Sequence, residues 1–145
     1  MKKVNDYPLS KSELEAMMKS LPERQLKILL VDDDEEVASE IEKTLHNFGI
    51  QVYKVYDGMC AKNLLLYEKF DLIITDICMP NLNGVELLHF VKRTARINYI
   101  PVILMTGFSS LRDKRMARKL HFDGFLAKPF EREELLEVTG SIKVA

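Results

Sequence analysis

Residues 71–84 read Asp71-Leu72-Ile73-Ile74-Thr75-Asp76-Ile77-Cys78-Met79-Pro80-Asn81-Leu82-Asn83-Gly84. A short apolar run ends on Asp76 and breaks at once into a turn-forming segment. Three other runs behave alike. Ile28-Leu29-Leu30-Val31 enters Asp32-Asp33-Asp34, Val102-Ile103-Leu104-Met105 enters Thr106, and Phe125-Leu126-Ala127 enters Lys128-Pro129. Short apolar runs separated by helix-length segments read as buried parallel strands. Open α/β sheets place their chemistry outside the carboxyl ends of such strands. Carboxylates, a hydroxyl and an ammonium are therefore expected at one edge of one sheet.

From Leu26 onward, strand and helix patterns alternate five times. Strands are expected at about 27–31, 50–55, 71–75, 101–105 and 124–127. Helices are expected at about 35–48, 58–68, 84–95, 110–120 and 131–138. The first of these places Val37, Ile41, Leu45 and Phe48 on one face, with Gly49 as its stop signal. The helix at 84–95 is opened by the turn Asn81-Leu82-Asn83-Gly84. Alternation of this kind means right-handed crossovers and a doubly wound parallel sheet covered on both faces.

Residues 1–25 stand apart as an amino-terminal extension. Ser10-Lys11-Ser12-Glu13 fits a capping box, with Leu9 and Leu14 placed for a hydrophobic staple. Leu14, Met17, Met18 and Leu21 recur at helical spacing before Pro22 closes the segment. A helix this short needs a surface to pack on. The simpler expectation is that it covers its own domain; the other is a docking or dimerisation helix.

The 145 residues suit one domain, and 47% hydrophobic content suits a soluble globular core. Lysine and arginine total 21 against 22 acidic residues, a net charge of −1. That balance argues against a general attraction to nucleic acid or anionic membranes. No apolar run approaches membrane-spanning length, and no apolar stretch follows the charged start as in a secretory signal. Cys60 and Cys78 form no CxxC pair and read as ordinary core cysteines in a reduced, cytoplasmic setting.

Asp32, Asp33 and Asp76 would crowd together at the ends of neighbouring strands, and mutually repelling carboxylates need compensation. Magnesium suits them, since it prefers oxygen ligands and keeps coordination positions for waters or a phosphoryl oxygen. Lys128 adds a positive charge and Thr106 a hydroxyl. A carboxylate nucleophile so surrounded is a reasonable phosphoryl acceptor, because positioning and charge neutralisation dominate phosphoryl transfer. Singly, each residue has a duller explanation. Asp34 reads as the cap of the following helix, Thr106 as a turn residue, and Lys128 as a solvated lysine.

The motifs around Asp32-Asp33-Asp34, 71–84, Pro101 to Gly107 and Gly124 to Phe130 together resemble the receiver domain of two-component response regulators, over about residues 26–140. The resemblance implies a flavodoxin-like (CheY-like) fold with strand order 2-1-3-4-5 and a receiver domain at 26–145. It implies that Asp76 accepts a phosphoryl group from a sensor histidine kinase or phosphotransfer protein. Asp32 and Asp33 match the acidic pair that holds Mg2+, and Cys78 falls where a backbone carbonyl is a further ligand. Thr106 matches the switch hydroxyl, Lys128 the lysine that pairs with the phosphorylated aspartate, and Phe125 the aromatic switch. The Lys128-Pro129 bond would be cis.

This sequence also departs from the common pattern. Gly107 replaces the usual alanine, and Phe125 lacks a tyrosine hydroxyl. Cys78 and Phe108 stand where side chains influence attack of water on the acyl phosphate, and neither orients a water well, which implies a long-lived phosphorylated state. No effector module is recognisable after the last helix, so a stand-alone receiver, or a fragment of a larger response regulator or hybrid kinase, is expected.

The helix at 110–120 is basic, with Arg112, Lys114, Arg115, Arg118 and Lys119. The helix at 131–138 is acidic, with Glu131, Glu133, Glu134 and Glu137. Two solvated faces are the simpler expectation. The sharper one is a partner or homodimer surface across these helices and the strand between them, with Arg112, Arg115, Lys119, Glu133 and Glu137 as contacts. Exposed ion pairs contribute roughly 0–1 kcal/mol each, so only a network over an apolar patch would suffice. Three other readings fit less well. A haloacid-dehalogenase-type hydrolase needs a second acid where Cys78 stands. A flavin or nucleotide binder lacks GxGxxG and GxxxxGK[ST]. An adaptor that binds partners without phosphorylation would leave five site residues without a task.

Overall fold

Four strands are apolar almost throughout because they are covered on both faces. In the computed structural model, which describes residues 9–19, 25–107 and 111–141 (for 111–113 the backbone), these are β1 (Lys27–Val31), β3 (Leu72–Asp76), β4 (Val102–Thr106) and β5 (Gly124–Ala127). The fifth, β2 (Gln51–Val55), is an edge strand, and its residues are half-buried or exposed. All pairings are parallel, in the order β2-β1-β3-β4-β5.

The helices are α1 (Lys11–Lys19), α2 (Glu35–His46), α3 (Gly58–Tyr67), α4 (Gly84–Arg93), α5 (Leu111–Lys119) and α6 (Arg132–Ser141). Alternation along the strands divides the core in two. Ile28, Leu30, Ile74, Ile103 and Met105 pack with residues of α1, α2 and α6. Leu29, Val31, Ile73, Val102 and Leu104 pack with residues of α3, α4 and α5. Each large aliphatic side chain so buried contributes about 1.5–3 kcal/mol by leaving water. This two-sided core holds the strand ends in fixed relative positions.

Local signals set the helix ends. Asp34 caps α2, its carboxylate accepting from the backbone N–H of Glu36 and Val37. α2 ends sooner than the sequence suggested, because Gly49 takes a left-handed conformation at φ 77°. Its N–H bonds to His46 O, and Ile50 N–H reaches Leu45 O, which closes a Schellman turn. Asn83 and Glu86 form a capping box at the start of α4.

The expected box at Ser10 is present as well. Ser10 N–H donates to Glu13 Oε2 at 2.7 Å, and Ser10 Oγ accepts from Glu13 N–H at 3.2 Å. Leu14 and Met18 of α1 are buried, and α1 packs in cis on α6. Leu21 and Pro22 lie outside the described residues, as do Phe108 and the side chain of Arg112.

Two expectations need correction. Cys60 and Cys78 are not core residues: both are free and exposed, one in the first turn of α3 and the other in the turn after β3. α6 runs to Ser141 rather than stopping near 138, so it carries Gly140 within it. No helix among the described residues is long and apolar enough to cross a membrane.

Candidate functional site

β1 and β3 are direct neighbours, which brings the residues after Val31 beside the end of β3. Asp32 is completely buried and Asp76, the last residue of β3, is 8% exposed. Asp33 is exposed. Carboxylate oxygens of the three lie within 4.8 Å of one another.

Lys128 enters from the end of β5. Its backbone N–H donates to Thr106 O at 2.7 Å, tying the ends of β4 and β5 together. Its Nζ donates to Asp76 Oδ2 at 3.0 Å and lies 2.7 Å from Asp32 Oδ2. The Lys128–Pro129 peptide is cis.

The Asp76 carboxylate is aimed by backbone. Asp76 Oδ1 accepts from Ile77 N–H at 2.7 Å. The buried Thr75 hydroxyl donates to the Asp76 carbonyl at 2.9 Å. Gly84 presses on the same carbonyl, where any side-chain carbon would collide, and its N–H bonds to Ile77 O at 2.9 Å. Gly58, opening α3, meets the Leu82 carbonyl as closely, which holds the 77–84 loop from outside. Neither glycine was singled out from the sequence as a contact of this loop.

Charge and burial oppose each other here. Burial pushes the Asp32 carboxyl above its ordinary value, against the pull of Lys128 and of the Asp34 N–H, which Oδ1 accepts at 2.9 Å. Burial draws the Lys128 ammonium down, but Asp32 and Asp76 outweigh it and leave its pKa raised. The ammonium thus stays charged beside two carboxylates.

Asp32 Oδ2 is paired with Lys128 Nζ at 2.7 Å and has no other partner among the described residues. Lys128 divides its single charge between Asp32 and Asp76. A buried carboxylate with a shared counter-charge and two more carboxylates in reach suits a hard divalent cation.

Thr106 is buried at the end of β4, opposite Ala127 of β5. Phe125 is also buried, its ring in the core layer shared with α3, α4 and α5. Gly107 has open space where a side chain would stand. The Cys78 side chain is exposed in the turn after β3.

Strand order, the acidic cluster and the lysine between its members agree with the family comparison, in which the response regulator receiver domain matches residues 28–139. The chain belongs to the response regulator receiver family. The receiver is similar to the probable transcriptional regulator ycf29 of Pyropia yezoensis, 36% identical over 80% of this chain and 52% of that protein. It is 37% identical to the transcriptional regulatory protein CpxR of Escherichia coli over 76% of this chain and 46% of that one. The chain thus spans about half the length of these curated relatives. Among solved structures, the chemotaxis response regulator CheY4 of Vibrio cholerae matches with a TM-score of 0.74 at 29% identity, over 80% of this chain and 97% of that one. A BeF3-activated DrrB receiver domain matches with a TM-score of 0.68 at 27% identity, over 78% of this chain and 92% of that one.

The charged residues of the last two helices fall in different surroundings. Arg115, Arg118 and Lys119 of α5 are exposed. Glu133 of α6 lines a cleft with Lys11, Leu14 and Glu15 of α1. Glu137 has one carboxylate oxygen buried. Residues 133, 136, 137 and 140 share one side of a helix, on which Leu136 and Gly140 meet α1 while Glu133 is exposed.

Proposed function

We propose that this receiver is a phosphorylation-activated switch that takes a phosphoryl group onto Asp76 from a sensor histidine kinase or phosphotransfer protein in the cytoplasm. The observation that carries the reading is the Asp76 carboxylate, at the end of a central strand, 3.0 Å from the Lys128 ammonium and beside Asp32 and Asp33. A carboxylate oxygen of Asp76 attacks phosphorus while the N–P bond of a phosphohistidine breaks. The electron pair returns to the imidazole, and an acyl phosphate remains on Asp76. Lys128 pairs with the new phosphoryl charge, and the Thr106 hydroxyl donates to one of its oxygens.

Asp32, Asp33 and Asp76, with the Cys78 backbone carbonyl, would hold Mg2+, which when bound neutralises charge on the phosphoryl oxygens. The similar DrrB receiver domain is activated by BeF3, which supports activation at the corresponding site here.

Movement of Thr106 is passed to Phe125, a steric relay because the ring carries no hydroxyl. The signal leaves through α5, β5 and α6 to a downstream protein or a second copy, with Arg112, Arg115 and Lys119 on one helix and Glu133 and Glu137 on the other. Glu133 is exposed, and Glu137 is half-buried on the same side of α6. The domain's chemistry is confined to its own phosphorylation and dephosphorylation.

Incubation with Mg2+ and acetyl phosphate should add one phosphoryl mass to the chain, and Asp76→Asn should abolish it. An adduct mapped to another residue, or unchanged labelling in the variant, overturns the assignment.

A further inference from the structure

The 77–84 loop is pinned at two places, each by a glycine in the first turn of a helix. Gly84 of α4 lies flush against the Asp76 carbonyl, and its N–H bonds to Ile77 O at 2.9 Å. Gly58 of α3 lies flush against Leu82, where a side-chain carbon would collide with both the carbonyl and the Leu82 side chain. Between the pins the backbone turns tightly. Asn81 is left-handed at φ 68°, and Leu82 N–H donates to Pro80 O at 2.8 Å.

The start of α3 is itself fixed by Asp57. This residue caps the helix, its carboxylate accepting from Cys60 N–H at 2.8 Å and from the Cys60 thiol at 3.5 Å. The Cys60 N–H holds that carboxyl below its ordinary value, and the Asn81 side chain adds a weaker pull in the same direction. The Asp57-Gly58 corner thus meets the loop twice, by packing at Leu82 and electrostatically at Asn81. Neither residue belongs to the acidic cluster of Asp32, Asp33 and Asp76.

Cys78 lies within the pinned segment. If its carbonyl helps to hold the metal, as proposed above, the pins fix where one oxygen ligand stands. Cations differ in what they require of such a ligand. Mg2+ is small and demands near-ideal octahedral geometry, whereas Ca2+ accepts longer bonds and a variable ligand number. A carbonyl that cannot drift favours Mg2+, and one free to drift loses that preference.

We propose that the Asp57-Gly58 corner is a positioning element that sets the preference of this site for Mg2+ over Ca2+, acting through the 77–84 loop from outside the acidic cluster. The inference rests on the Mg2+ reading of the site.

Titration calorimetry of the full chain with Mg2+ and, separately, with Ca2+ tests it. Gly58→Ala forces the Leu82 carbonyl outward. The Mg2+ dissociation constant should rise about tenfold, the low end for losing an outer support of a metal site, and the Ca2+ constant less than about threefold. Asn81→Gly keeps the left-handed turn and removes the side chain that faces Asp57. It should shift the preference in the same direction by a smaller factor, and it decides the matter if an altered far-ultraviolet spectrum shows that Gly58→Ala does not fold. Asp32 is untouched, so the pH at which Mg2+ affinity falls should be the same in the variants and the unaltered chain. Equal losses for both ions, or no change in either variant, overturn the proposal, because the corner would then serve stability alone. An unaltered chain that binds Mg2+ no better than Ca2+ overturns it too. An unaltered chain that binds neither ion and takes up no phosphoryl group on Asp76 overturns the Mg2+ reading itself, and the proposal with it.

Discussion

Replacing Lys128 with methionine keeps much of the aliphatic stem and removes the ammonium. Asp32, completely buried, then loses the positive charge 2.7 Å away, and Asp76 loses one at 3.0 Å. Stranding one member of a fully buried pair costs about 3–5 kcal/mol. Two features reduce that figure here. The Lys128 side chain keeps 18% of its surface exposed, and Asp32 can take up a proton, since burial already pushes its carboxyl up. A loss of about 2–3 kcal/mol near pH 8 without divalent ions is expected.

The sign with pH follows from linkage. A carboxyl whose folded pKa is raised destabilises the fold above that value, and the penalty disappears as pH falls through it. The lysine contribution, with a raised pKa, is fully present below the ordinary lysine value and is lost only as pH rises through the raised one. The deficit of Lys128→Met should therefore shrink toward about pH 5. Mg2+ should narrow it near pH 8 by supplying the missing charge. Urea titrations followed by circular dichroism, with chelator and with Mg2+, measure each value. A deficit below about 1 kcal/mol that is equal at both pH values would mean that Lys128 is simply solvated, as in an exposed pair.

Mg2+ and a proton should compete for Asp32, whose carboxyl burial pushes up, so Mg2+ affinity by titration calorimetry should fall as pH drops; a flat profile would exclude Asp32 as a ligand. Asp32→Asn should weaken Mg2+ binding while leaving the fold intact. Gly84→Ala drives a carbon into the Asp76 carbonyl and should destabilise by about 1–3 kcal/mol in urea while slowing phosphorylation; a neutral result would show that the 77–84 loop adapts freely. Cys78→Asn with Phe108→Glu should speed phosphate loss from Asp76. Faster loss from the unaltered chain in a phosphate-release assay would contradict the idea of a long-lived phosphorylated state.

Much of the fold was legible because burial on both faces leaves continuous apolar runs. β1 and β5 fall where Ile28-Leu29-Leu30-Val31 and Phe125-Leu126-Ala127 placed them. β3 and β4 each run one residue later than expected and end on Asp76 and Thr106 themselves. Before β3, Asp71 is tied to β1 twice, its N–H donating to Lys27 O and its carboxylate accepting from Lys27 N–H, and before β4, Pro101 has no N–H to offer. Asp32, Asp33 and Asp76 meet because β1 and β3 are adjacent, and Lys128 joins them by reaching past β4 from the end of β5. Gly58 and Gly84 were not legible as loop contacts, since only the folded chain shows which carbonyl each one meets. Gly140 drew no reading from the sequence, because only the folded chain shows that Met17 of α1 stands where its side chain would be. The cysteines were misplaced because a small sulfur side chain in a strand-rich sequence looks internal when its neighbours are apolar.

The pairing of Asp76 with Met105 leaves Thr106 one residue beyond Asp76 on the adjoining strand. Sliding β4 by a single step would turn all its side chains to the opposite layer, so the slab offers no gradual travel between them. If Asp76 takes up a phosphoryl group as proposed, the response therefore starts in side chains at the strand ends, while the paired backbone of β3 and β4 stays in register.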